Sequence, residues 1–430
     1  MSLKVSQIQL PIFLALLIPG IAGMAFVLKK KSPTIAAFFE KRQVISRADL
    51  ARALSLGGDA TSRGSEYVQN GAGLPGVIEV QGRAGTQKRE AIVQYSFDPD
   101  LQSEIETLFR QYLPDHGAFA AVDPESGRVL ALVSHEKRGQ ASEDLPALGD
   151  HLALRATFPA ASVFKVVTAA AAIAEKRFNA DTRVAFNGSN HSLYRNNVLK
   201  DQHNRWTRSV SLRDAFGQSI NTVFGKIGAF NLGAEKLRDY AAKFGFNRQI
   251  ASDLPVQPGR ASISVDADPW SLAEAASGFT RETTMSPLQG ALIAASIVNG
   301  GKMIQPYAVQ SVHLADGETI YEAESQEPVP TLSPQVASEL MELMRQTVVA
   351  GTSRRSFRGF SRGTRQTVDV GGKTGSLTGF DPPGKYDWFV GFGKMGDKSI
   401  ALAALTIHRE HWRVKSSYVA RRAIERYFLR

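Results

Sequence analysis

The strand-like stretches of this 430-residue chain lie on either side of a long helical middle, and that order does not suit a wound parallel sheet. AFAAVDPESGRVLALVS reads as a hairpin, with two apolar runs around the turn Asp123-Pro124-Glu125-Ser126-Gly127. DWFVGFG and SIALAALTIH are strand-like and lie far downstream. Strands at 118–133 and 385–407 lack the alternating helices of a parallel arrangement, so the expected class is an α/β mixture of the α+β type with an antiparallel sheet flanked by helices. Between them, helices are expected over Pro159 to Lys176, over Ser211 to Phe230 behind the capping-box-like pair Ser211 and Asp214, over LQGALIAASIVN behind Ser286-Pro287, and from Ser333-Pro334 through Met344. Asp98-Pro99 reads as an N-cap with Pro at N1, opening PDLQSEIETLFRQYL after the alternating segment EAIVQYSF. A last helix is expected from about Lys415.

The first residues follow a different logic. Leu10 to Leu28 is a run of 19 uncharged residues, with Lys4 before it and Lys29, Lys30 and Lys31 after it. A membrane-spanning helix needs about 20 apolar residues, whereas a secretory signal has a shorter apolar core. The run therefore reads as an uncleaved membrane anchor, although Gly20-Ile21-Ala22 and Gly23-Met24-Ala25 have the small-x-small form of a cleavage site. Three lysines on the C-terminal flank favour that flank as the cytoplasmic side. Residues 32–89 are poor in apolar periodicity, and SLGGDATSRGSEYVQNGAGLPG is rich in Gly and polar residues. The expected division is an anchor at 1–31, a linker or small N-terminal region at 32–93, and one large domain at 94–430.

Composition narrows the chemistry. The absence of cysteine excludes a disulfide scaffold, a thiolate zinc site, an iron–sulfur cluster and a thiol nucleophile. Serine, threonine, lysine or a carboxylate remains as a nucleophile. A net charge of +10 allows nucleic acid, a lipid surface or an acidic polymer as partner and selects none of them.

A serine needs a group to take its proton, and a lysine three residues on along a helix lies on the same face. Ser-x-x-Lys occurs twice. Ser134-His135-Glu136-Lys137 follows a strand among charges, where nothing would dehydrate the amine. Ser162-Val163-Phe164-Lys165 opens an apolar helix whose later turns would keep Lys165 partly dry and lower its affinity for a proton. Ser219-Ile220-Asn221 places two poor helix formers in the middle of a helical pattern. Lys373-Thr374-Gly375 sits on an extended segment, where Thr374 and Ser376 share one face, Lys373 takes the other, and Gly375 admits close backbone approach. Each motif alone has a plain structural explanation: ordinary helix, a helix junction, and an edge strand with a glycine bulge. A phosphate-binding loop is excluded at Gly372-Lys373-Thr374, because Thr367 stands where the first glycine is needed and a strand-like segment follows.

Taken in order, Ser-x-x-Lys, Ser-x-Asn and Lys-Thr-Gly form a known catalytic set, and the sequence resembles the transpeptidase domain of penicillin-binding proteins from about Gln94 to the C-terminus. YSFDPDLQ, AAVDPESGRVLALVS, SPLQGALIAASIVNGGKMIQP and DWFVGFG extend the resemblance beyond the triplets. It implies an all-helical subdomain beside the sheet and an enzyme that needs no cofactor or metal. Ser162 would be acylated by a D-Ala-D-Ala stem peptide or a β-lactam, and Lys165 would take or relay its proton. Ser219 would carry a proton to the leaving amine, with Lys373 beside it. Asn221 would bind the substrate's amide and Lys165, while Thr374 and Ser376 would hold its carboxylate beside Gly375. The amides of Ser162 and Ser376 would form the oxyanion hole. Ser376 departs from the family's commoner threonine and keeps the hydroxyl. Implied partners are peptidoglycan stem peptides, β-lactam antibiotics, the cytoplasmic membrane and a cell-wall glycosyltransferase complex, with no nucleic acid. The domain would lie outside the cytoplasmic membrane, the opposite of what the flanking lysines favour.

The region 32–93 is too short for the glycosyltransferase domain of bifunctional members, so a compact monofunctional type is expected. Acyl transfer to water, as in a DD-carboxypeptidase or β-lactamase, is the alternative within the same chemistry; a β-lactam sensor and a non-catalytic scaffold are the others. No Glu-x-x-Leu-Asn-like segment supplies a base for fast hydrolysis. Two further features are the run Arg354, Arg355, Arg358, Arg362 and Arg365, read as a solvated loop, and His191 and His203, which could line the cleft.

Overall fold

The computed structural model describes residues 45–56, 74–81, 88–137, 151–200, 203–360 and 368–429. Its centre is a five-stranded antiparallel sheet. The strand order is Asp369–Phe380, Pro383–Met395, Lys398–His408, His116–Val122, Val129–Glu136, so the early hairpin joins the late strands as expected. The strand His116–Val122 is buried at every position. This explains why AFAAV shows no apolar–polar alternation: helices cover both faces of the sheet, and both sets of side chains are dry.

One face packs against Pro99–Tyr112 and Ser416–Phe428, through Ile105, Phe109, Phe119, Leu402 and Ile424. The other face carries Pro287–Val298, which is buried along nearly its whole length, and leads into the helical part. The helix starts are built as read. Asp98, Ser286 and Ser333 each accept an N–H from three residues on, and each is followed by proline at the first helical position. Each such cap contributes about 1 kcal/mol. Ser211 accepts the Asp214 N–H at 3.1 Å and donates to the Asp214 carboxylate at 2.8 Å, a side-chain pair at the helix start.

Three expectations need correction. The helical region is not all-helical, because Arg183–Phe186 and Arg208–Ser211 pair as a short antiparallel ribbon within it. The single helix expected over Ser211 to Phe230 is three pieces, Leu212–Gly217, Asn221–Lys226 and a π-helical turn Ile227–Leu232. Of the two readings of 32–93, a linker or a small N-terminal region, the described part does not fit the first. Arg47–Leu56 is a helix, and Val77–Gln81 pairs with Lys88–Tyr95, which pairs in turn with Val309–Leu314. A boundary at residue 94 would cut that strand, and Leu50, Leu54, Ile78 and Val80 are buried in the same core as the larger domain. The run Leu10 to Leu28 and most of the Gly-rich segment lie outside the described residues; among those described, no helix is long and apolar enough to cross a membrane.

Asp387 shows what dense burial costs. It lies under the start of the C-terminal helix and accepts the Ser416 N–H at 2.8 Å, with Lys415 Nζ 3.7 Å away. Burial outweighs both partners and pushes its carboxyl up to about 6. A carboxyl raised above its unfolded value of about 3.9 adds stability at acidic pH, and that contribution is lost as pH rises through the folded value. Asp387→Asn should therefore gain in melting temperature relative to the wild type between pH 4 and pH 7; parallel melting curves across that range would contradict this origin.

Candidate active site

The nucleophile segment begins in a strained turn. Phe158–Pro159 pairs with Thr284–Met285, and the Trp388 indole donates to the Pro159 carbonyl at 2.9 Å, fixing this segment to the central sheet. Ala161 then takes a φ of 49°. One 3-10 turn, Ala161–Phe164, precedes the α-helix Lys165–Lys176, so the helix starts later than the sequence pattern indicates. Two glycines leave room for this turn. A Cβ at Gly278, whose φ is +69°, would stand 1.9 Å from the Ala161 carbonyl oxygen. A Cβ at Gly375 would come within 3.2 Å of the Ala160 carbonyl oxygen.

Ser162 is half-buried and Lys165 fully buried. Lys165 Nζ lies 2.6 Å from Ser162 Oγ, 2.8 Å from Asn221 Oδ1 and 2.6 Å from the Ser277 carbonyl oxygen. An ammonium would donate to all three. A neutral amine has two hydrogens, which the two carbonyl oxygens take, leaving its lone pair for the Ser162 hydroxyl. Burial, and then the field of Lys373, hold Lys165 well below the ordinary lysine range, which favours the neutral form.

Ser219 occupies the break between the helices Leu212–Gly217 and Asn221–Lys226, with a φ of 57°. Left-handed backbone costs a non-glycine residue about 1–2 kcal/mol. Here the Ser219 N–H to the Phe216 carbonyl and the Ile220 N–H to the Ala215 carbonyl hold it. The turn aims Ser219 at Lys373, whose Nζ donates to Ser219 Oγ at 2.9 Å and to the Thr374 carbonyl at 2.7 Å. Lys373 is fully buried, and burial alone brings its amine down to about 7. Its strand, Asp369–Phe380, is the sheet edge. Pairing with Pro383–Met395 runs through Gly375 without a register shift, so there is no bulge. Alternation sends Lys373 inward and leaves Thr374 half-buried and Ser376 exposed, as read from the sequence.

The structure thus brings the six residues together as two hydrogen-bonded groups, Ser162, Lys165 and Asn221 in one and Ser219, Lys373 and Thr374 in the other, near enough for the Lys373 field to act on Lys165, with Gly375 against the nucleophile turn and Ser376 one step along the edge strand. Ser134 sits on the opposite edge strand, where its hydroxyl accepts the Leu152 N–H at 3.2 Å. Among the histidines, burial and then the field of Lys165 and Lys373 lower the affinity of His191 for a proton; His203 is exposed. Arg354, Arg355 and Arg358 are exposed, whereas Arg362 and Arg365 fall outside the described residues.

Two participants were not read from the sequence. The Ser277 carbonyl carries no side-chain signal at all. Thr352 places its hydroxyl 2.5 Å from that of Thr374, because its N–H is bound to the Gly217 carbonyl. Its neighbour Gly351 is the residue that permits this, since a Cβ there would lie 2.1 Å from that same oxygen.

A serine hydroxyl facing a buried amine, with a second hydroxyl and amine opposite, defines a serine acyl-transfer enzyme. Residues 117–425 match the family model described as the penicillin binding protein transpeptidase domain, and the chain belongs to that family. It is 30% identical over 351 residues to peptidoglycan D,D-transpeptidase PbpA of Mycobacterium tuberculosis, covering 75% of this chain and 68% of that protein. Stage V sporulation protein D of Bacillus subtilis is 25% identical over 314 residues, covering 70% of this chain and 47% of its own length. Among solved structures, the imipenem acyl-enzyme complex of penicillin-binding protein A from M. tuberculosis superposes with a TM-score of 0.60 at 28% identity, covering 78% of this chain and 79% of that one. The D,D-transpeptidase domain of a peptidoglycan glycosyltransferase from Eggerthella lenta shares the fold, with a TM-score of 0.64 at 22% identity, covering 82% of this chain and 95% of that one.

Gly278→Ala should displace the Ala161–Ser162 turn. The expected result is a folded protein whose acylation by penicillin is slowed at least a hundredfold; labelling at the wild-type rate would show that the turn tolerates the methyl group.

Proposed function

We propose that this chain is a peptidoglycan D,D-transpeptidase that also binds β-lactams covalently through Ser162. The observation that carries the reading is the placement of Lys165, with two of its three polar neighbours carbonyl oxygens and the third the Ser162 hydroxyl. Neutral Lys165 takes the Ser162 proton as Oγ attacks the carbonyl of the penultimate D-Ala. The developing oxyanion is held by the amides of Ser162 and Ser376, each such donor being worth about 3–4 kcal/mol in a protease. As the tetrahedral adduct collapses, the peptide C–N bond breaks and Ser219, beside Lys373, passes a proton to the departing D-Ala nitrogen. An acceptor amine then attacks the ester, gives up its proton by the reverse relay and regenerates Ser162.

Asn221 both orients Lys165 and offers its amide to the stem peptide. Thr374 and Ser376 hold the terminal carboxylate beside Gly375, with the Thr352 hydroxyl supporting Thr374. The run Leu10 to Leu28 anchors the chain in the cytoplasmic membrane with the domain on the outer side, beside a cell-wall glycosyltransferase complex. Large domains can be exported against the local lysine count, and a C-terminal reporter active only in the cytoplasm would refute this orientation.

Incubation with a penicillin should give a stable mass adduct mapping to the peptide that contains Ser162. Ser162→Ala should abolish it; labelling that persists would move the nucleophile elsewhere, and an adduct that clears within seconds would favour hydrolysis over transfer.

The base must be neutral to act, so the acylation rate should rise with pH and level off once the lowered lysines have lost their protons, with Lys373 titrating near 7. Lys373→Gln should slow the reaction and move the midpoint upward, because Lys165 loses a repelling charge. An unchanged midpoint would separate the two amines electrostatically.

A further inference from the structure

The helix that carries Asn221 begins without a cap of its own. Ile220 occupies the cap position and supplies no side-chain acceptor, so the first N–H groups need partners from elsewhere. The segment 187–193, between the ribbon strand Arg183–Phe186 and the short helix Arg195–Leu199, provides one for the first of them. Its consecutive carbonyls do two jobs at one residue: the Asn190 oxygen accepts the Asn221 backbone N–H at 2.8 Å, and the His191 oxygen accepts Asn221 Nδ2 at 2.7 Å. The second bond decides which way the amide faces. With Nδ2 turned to the His191 oxygen, Oδ1 faces Lys165 Nζ; the flipped amide would set Oδ1 against the His191 carbonyl oxygen and its N–H groups against the Lys165 amine.

The strap is itself held at both ends. Leu193 is buried with Val198 and Ala273 against the Asn221 helix. At the other end, Asn190 Nδ2 donates to Gln218 Oε1 at 3.0 Å, and Arg208 donates to Asn190 Oδ1 at 3.2 Å and to the Gly188 carbonyl. The Arg208 guanidinium is fixed in turn by the Phe186 ring, 4.3 Å from its centroid, on the paired strand of the ribbon. A chain of contacts therefore runs from the ribbon through Arg208 and Asn190 to Asn221 and Lys165, the first two lying outside the three catalytic motifs.

We propose that Asn190 and Arg208 are positioning residues for acyl transfer: they clamp the strap whose carbonyls cap the Asn221 helix and fix the Asn221 amide toward Lys165. The proposal rests on the acyl-transfer reading above. If they act on the reaction through the Asn221 amide and not through the backbone bond at residue 221, which alanine keeps, their loss matters only while that amide is present, which a double-mutant cycle measures directly.

The experiment is the second-order rate of acylation by a fluorescent penicillin, with its pH profile, for the wild type and for Asn190→Ala, Arg208→Ala, Arg208→Lys, Asn221→Ala and Asn190→Ala/Asn221→Ala, each checked by thermal melting. Asn190→Ala and Arg208→Ala should each slow acylation about tenfold with the protein still folded. Their pH midpoint should move downward, because Lys165 loses an acceptor that favours its charged form. Arg208→Lys should recover part of the rate. In the Asn221→Ala background, Asn190→Ala should cost less than twofold. Equal losses in both backgrounds, or wild-type rates and midpoints in the two alanine variants, would overturn the proposal. Failure of the wild type to be acylated would instead remove the reading on which it rests.

Discussion

Two amines taken out of water, set on either side of one serine pair, are the condition on which the rest of the structure depends. Water would hold both as ammonium ions, and neither could accept a proton near neutral pH. Burial removes that solvation, and the fold then has to satisfy every hydrogen that remains. It does so largely with backbone: the Ser277 carbonyl for Lys165 and the Thr374 carbonyl for Lys373, with only Asn221 as a side-chain amide. Aromatic faces complete the enclosure, Phe224 beside Lys165 and Phe216 beside Lys373. A neutral, uncharged lining suits bases that must lose their protons; a carboxylate in the same place would hold the charge on them.

The strained backbone at Ala161 and at Ser219 follows from the same requirement. Both residues adopt left-handed conformations next to reacting hydroxyls, and such conformations persist where the surroundings over-determine them. At Ala161 the surroundings are Gly278, Gly375 and the Trp388 bond to Pro159. At Ser219 they are two backbone hydrogen bonds and the abrupt start of a new helix. The site is thus held mainly by a sheet edge on one side and helix ends on the other, an arrangement that keeps hydroxyls and amines in register.

Much of this was legible in the sequence. The helix caps were, because Asp98, Ser286 and Ser333 each announce themselves by a following proline. The antiparallel sheet was, because within each of two distant clusters the strands follow one another with no helix between them. The motif residues were, because their order is more specific than any of them alone. The break at Ser219 was read both ways, as part of one helix over Ser211 to Phe230 and as a helix junction at Ser219-Ile220-Asn221; the apolar spacing continues across it, and only tertiary contacts create the left-handed turn. The start of the helix at Lys165 was placed early for a similar reason. The described part of the N-terminal region escaped notice because Val77–Gln81 is a short strand that becomes one only by pairing with its neighbour. Backbone participants such as the Ser277 carbonyl have no residue type to betray them.

The topology of the central sheet has a kinetic consequence. The strand His116–Val122 has Val129–Glu136 as one neighbour, made almost at once, and Lys398–His408 as the other. Its second edge therefore stays open while the whole helical region is synthesised. Pairings of such sequence separation are slow to form. An unsatisfied edge of apolar strand is a template for aggregation until the last strands arrive. Completion of the sheet, and with it the assembly of Lys373 opposite Ser219, therefore waits until Lys398–His408 has been made.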